Sequence, residues 1–334
     1  MSDNPTPSHD APPAGFQRRR LLQAGIAGLG LAVAGTAAWF AANDKPVADG
    51  EILFDDTKYR YTDPRLVKYR EAGHIPTGML KPRGLALGAD GTLYVAGDKL
   101  VAVIAANGQR QADWSCAGEP RAIAIGPDGR VHVSLRDRIQ TFTAGEAGQP
   151  SKPLAAEALI TGLAVHPSGD LYAADAGSRA LWRFRDDKPC NRLGGEGDFE
   201  FIIPSPFMDV QVGPDGLVWV ANTGRHRLEA YDQTDQRVKM WGVEGFAVEG
   251  FSGCCNPADF AITPQGRFIT SEKGLPRVKR YSASGTFDGV VAPVDVFASH
   301  TVGLDVVAAA DGRILVLDPV AKKVRVFVET ERAA

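Results

Sequence analysis

The chain has 334 residues, 44% hydrophobic and 23% charged, enough apolar material for a packed core and too much for a disordered chain. Its formal net charge of −3 leaves no basic field to recruit nucleic acid, and its four cysteines include no C-x-x-C pair, which argues against a zinc ribbon or a thioredoxin-like motif. The 37 glycines and 22 prolines suit many short strands joined by tight turns.

In chain order, residues 1–20 read as a disordered segment with a basic end, closing on Arg18, Arg19 and Arg20. Residues 21–42 carry no charge and are rich in Leu, Ala and Gly. At ~1.5 Å per residue such a helix spans the ~30 Å core of a bilayer, so a signal or membrane-anchor helix is expected here. The order Arg18-Arg19-Arg20-Leu21-Leu22-Gln23 resembles a twin-arginine signal, departing from it at Leu21 and Gln23. The flanking arginines favour a cytoplasmic N-terminus, with everything after residue 43 outside. Ala32-Val33-Ala34 offers an A-x-A cleavage match, but inside the apolar run, so an uncleaved anchor is favoured. Residues 43–62 are expected to be a linker.

From residue 63 to about 330 one template recurs six times: an alternating strand, a turn ending in Gly, and a second alternating strand. The turn glycines are Gly91, Gly129, Gly169, Gly216, Gly266 and Gly312, spaced by 38 to 50 residues, the length of a four-stranded propeller blade. Asp-Gly and Ser-Gly supply the left-handed backbone that tight hairpins need. The last repeat holds three strands. Its fourth is expected from Leu66-Val67-Lys68-Tyr69-Arg70, which would close the ring and remove an open edge. Val220-Ala221-Asn222-Thr223-Gly224-Arg225-His226-Arg227-Leu228 and Ala174-Asp175-Ala176-Gly177-Ser178-Arg179-Ala180-Leu181 resemble the signature of NHL repeats. The fold class expected is therefore all-β, a six-bladed NHL-type β-propeller behind an N-terminal helix.

Propeller topology puts the blade-to-blade linkers and the second-to-third-strand turns on the face around the channel mouth. Asp209, Asp259 and Asp305 each lie seven residues before their turn glycine, at the start of an innermost strand. Arg83 and Arg121 fall at nearly the same level in blades one and two. Either these charges form a polarised mouth for a cation or a zwitterion, or they satisfy one another and nearby N–H groups. Cys254 and Cys255 are adjacent in the linker before blade five, where a vicinal disulfide is expected in an oxidising compartment, with a soft-metal site as the alternative. Cys116 lies on the same face and Cys190 near the opposite one. Asp175, Asn222, Glu272 and Asp318, six residues after their turn glycines, read as caps of the next turn, Glu272 least securely. No His pair at i, i+2 or i+4, P-loop or nucleophile elbow occurs.

The motif Gly250-Phe251-Ser252-Gly253-Cys254-Cys255-Asn256-Pro257, with Ser271-Glu272-Lys273 downstream, is similar to an exported bacterial NHL subgroup with no transferable activity. That resemblance implies a periplasmic or extracytoplasmic binding or scaffold module, membrane-attached through its N-terminal helix. Its partner would be a protein or small ligand at the mouth, and not nucleic acid. The rival expectation is a hydrolase or lyase, because six-bladed relatives include enzymes whose mouth carboxylates or histidines hold a divalent metal.

Overall fold

The computed structural model describes residues 56–195 and 200–330. The expectations for residues 1–20 and 21–42 lie outside them; among the described residues no helix is long and apolar enough to cross a membrane. The expected linker holds one helical turn, Thr57–Arg60.

The six repeats form six antiparallel four-stranded sheets arranged as a propeller. Blades one to five occupy residues 82–115, 123–147, 160–194, 210–241 and 259–292. Each of the six turn glycines has a positive φ, between +77° and +91°. A side chain is strained in that conformation, which is why glycine recurs there. Blades one and two match the repeat signature weakly, and the outer strand of blade two is only Glu146–Ala147.

The sixth blade contains residues 305–329 and borrows its outer strand from Tyr69–Pro76, which pairs antiparallel with Lys323–Glu329. Ring closure by an N-terminal strand is as expected, but its position is not. Leu66 belongs to a 3₁₀ turn, Pro64–Leu66, capped by the Asp63 carboxylate on Arg65 N–H, and Val67 bridges Val290 of blade five. Proline in the first turn position, with its fixed φ and no N–H to lose, favours that turn over a strand.

The core is a set of wedges between neighbouring blades. In the strand Val218–Asn222 every residue is buried. Val218 and Val220 pack towards blade three with Tyr172 and Ala174, whereas Trp219 and Ala221 pack towards blade five with Phe260 and Phe268. A strand's side chains alternate between its two faces, so a blade flanked on both sides needs apolar residues at successive positions. Burying each large one contributes roughly 1.5–3 kcal/mol.

Candidate functional site

The innermost strands begin at the channel mouth. Asp259 pairs with Ser271 and Asp305 with Leu317, while Ala221 N–H bonds Asp209 O, so the three aspartates share one register. The same register in blades one to three holds Gly84, Ala122 and Gly162. Arg83 and Arg121 therefore sit one residue earlier than the aspartates, with Thr161. Small residues are required there because the blades approach closely. A Cβ on Gly84 would lie 2.7 Å from Arg121 O, and one on Gly162 would lie 2.6 Å from Asp209 Oδ1.

Each aspartate stitches its blade to the next. Asp209 accepts from Phe260 N–H at 3.2 Å, Asp259 from Val306 N–H at 3.0 Å, and Asp305 from Leu85 N–H at 2.9 Å. Innermost strands have no neighbour on the channel side, so these carboxyl groups satisfy backbone donors that no sheet partner reaches. Burial pushes Asp209 up to about 7 against its hydrogen bonds. Burial, with the neighbouring aspartates, pushes Asp259 and Asp305 well above the usual carboxylate range.

Above this layer lies a pocket of about 230 Å³. Arg83 and Arg121 line it together with Asp259, Asp305, Thr161 and the Pro206–Met208 segment. Arg83 reaches Glu119 at 3.3 Å. Arg121 forms no ion pair among the described residues, and burial together with nearby Arg83 weakens its hold on its proton. No group of three or more His, Cys, Asp or Glu among the described residues converges to hold a metal ion. Asp209 is buried and does not line the pocket.

Glu272 is not part of this pocket. It is buried against Arg277 and accepts from Lys279 at 3.3 Å and from Ser252 N–H at 3.2 Å. Asp175 and Asn222 accept in the same way from linker N–H groups, Leu159 and Ile202. At these three positions the residue six after the turn glycine thus ties the linker to its blade. Glu272 does so with a longer side chain that also balances two buried cations. Asp318 instead caps the next turn as expected, accepting from Val320 and Ala321 N–H, and Asp175 also accepts from Ser178 N–H.

The Cys254 and Cys255 sulfurs are 3.0 Å apart and both cysteines are free, so the expected disulfide is absent. A bonded pair stands at ~2.05 Å. Cys254 is exposed and Cys255 is buried. Burial works to raise the Cys255 thiol, but the neighbouring Lys273, Ser205 and Cys254 outweigh it and hold the thiol below its ordinary range. Cys254 is raised chiefly by its hydrogen bond to Cys255. Cys116 is distinct: burial pushes it up to about 12.

Lys273 and Ser205 are functional candidates that sequence reasoning missed. Lys273 sits beside the residue that broke the capping pattern, which was the available signal. Ser205 lies in a linker with no motif. The Lys273 ammonium lies 5.2 Å from the centre of the Phe207 ring, which also lines the mouth pocket. The cysteine loop and the pocket are therefore neighbours on one face.

No protein-family model matches the sequence, and no curated protein sequence matches it. Solved structures do match in fold. A virginiamycin B lyase from Staphylococcus aureus is 12% identical with a TM-score of 0.57, over 79% of this chain and 99% of its own. A calcium-binding regucalcin from Agrobacterium tumefaciens is 16% identical with a TM-score of 0.56, over 78% of this chain and 94% of its own. A Bacteroides thetaiotaomicron protein of unknown function is 12% identical with a TM-score of 0.55, over 78% of this chain and 75% of its own. At such identities the likeness is one of fold alone.

Proposed function

We propose that this chain is an exported, NHL-type binding propeller that takes a small carboxylate-bearing ligand in its mouth pocket. The observation that carries the reading is Arg121, a half-buried guanidinium on the pocket wall with no ion-pair partner among the described residues. Arg83 stands beside it. A guanidinium presents paired donors that match a carboxylate. On the same pocket wall Asp259 and Asp305 are held towards the protonated form, so they repel an anion less than ordinary carboxylates would and offer O–H donors. That combination favours an anion over the cation or zwitterion expected from the sequence. The metal-dependent reading draws on the lyase and regucalcin neighbours, but its ligand set is not assembled among the described residues.

Calorimetric titration of the purified full-length protein with acetate, lactate, succinate and citrate tests this. At least one should bind saturably, and Arg121→Ala should weaken it by about tenfold or more, ~1.4 kcal/mol. Absence of binding across the series, or binding untouched by Arg121→Ala, rejects the reading.

A further inference from the structure

The loop before blade five carries two adjacent thiols in opposite settings. Cys254 faces a cavity lined by His226, Glu244 and Phe246, whereas Cys255 lies buried behind it. The loop is held by buried groups on both sides. Lys279 Nζ donates to Gly250 O at 2.6 Å, and Asn256 Nδ2 to Ser252 O at 2.7 Å and to Lys273 O at 3.0 Å. Lys273 N–H returns a bond to Asn256 Oδ1 at 3.0 Å. Solvent therefore reaches one sulfur while the scaffold keeps the second 3.0 Å away, near Lys273 and the buried Ser205 hydroxyl, which has no hydrogen-bond partner of its own among the described residues.

We propose that Cys254 and Cys255 form a dithiol–disulfide exchange site that reacts with small-molecule disulfides. The Cys254 thiol passes its proton to the Cys255 sulfur, and the Cys254 thiolate attacks one sulfur of the incoming disulfide. The incoming S–S bond breaks, and its first half leaves as a thiolate that takes up the proton now on Cys255, which returns Cys255 to the thiolate. Cys255, its thiolate held by Lys273, then attacks the Cys254 sulfur of the mixed disulfide. The Cys254–Cys255 bond forms, and the second half leaves and is protonated. Two protein thiols are oxidised to one disulfide, and one small disulfide is reduced to two thiols. Exchange rates follow thiolate fraction and access, which this loop divides between its two sulfurs. The site uses none of the pocket arginines, so it stands or falls apart from the carboxylate reading.

Reduced full-length protein is incubated with glutathione disulfide, quenched in acid and mapped by mass spectrometry. The peptide holding both cysteines should lose two hydrogens at least about tenfold faster than exposed Cys190 gains glutathione. Cys255→Ser should leave glutathione on Cys254 unresolved. Lys273→Met should slow ring closure and move its pH dependence upward. Cys190 reacting as fast as the pair, or a mixed disulfide that persists in the unsubstituted protein, overturns the proposal. That comparison needs no variant, so a misfolded substitution does not blunt it.

Discussion

At the scale of single residues, the mouth aspartates show how one side chain serves the fold and the surface at once. Each gives a carboxyl oxygen to the next blade's backbone, and burial disfavours its charge. A carboxyl raised in the folded state keeps a proton that the unfolded chain has lost. Its contribution is complete below about pH 4 and fades as pH rises through about 7 for Asp209. His132, lowered to about 4 by burial and by Arg130, acts with the opposite sign over part of that window, so a variant must be compared with the parent at each pH. Asp209→Asn keeps an oxygen for Phe260 N–H and removes the titration. Urea unfolding should find it near parity with the parent at pH 4.5 and roughly 2–4 kcal/mol more stable relative to it at pH 7.5. An unchanged gap between the two pH values would refute this origin of the shift. The aspartates were legible in the sequence as a register, because their spacing from the turn glycine is constant. Their inter-blade partners were not, since Phe260, Val306 and Leu85 lie on other repeats.

At the scale of elements, closure depends on one strand. Tyr69–Pro76 covers the edge of Lys323–Glu329, Tyr69 is buried, and its hydroxyl accepts from Arg280 Nη1 at 3.1 Å. Removing it would uncover backbone donors and acceptors beside Val324, Val326 and Val328, a template for association. Deletion of residues 1–55 should leave a folded monomer by light scattering, and deletion of residues 1–76 should aggregate. A folded monomer from the shorter chain would show that this strand is dispensable. The sequence showed that a strand was missing from the last repeat and where to look for it. It misplaced the strand by a few residues because the pull of Pro64 towards a turn competes with the apolar pattern of Leu66 and Val67.

At the scale of the whole molecule, export is the expectation that organises the chemistry, because a dithiol site has different uses in oxidising and reducing compartments. We propose that Arg18 and Arg19 direct it. Replacing both with Lys should leave the protein in the cytoplasmic fraction, and unchanged fractionation would remove the twin-arginine route. The sequence by itself determined the six-bladed ring, since period-2 strands and turn glycines are local, repeated six times, and tolerate an imperfect copy such as blade two. It also placed Cys254 and Cys255 together, because they are covalent neighbours. Only the tertiary structure decided which charges face one another. Arg121, Asp259 and Asp305 come from three blades; their one-residue offset in height is readable from their spacing to the turn glycines, but their convergence on one pocket is not. Only the fold, likewise, placed Lys273 and Ser205 against Cys255 and turned Glu272 inward, because burial and through-space electrostatics arise when distant segments pack.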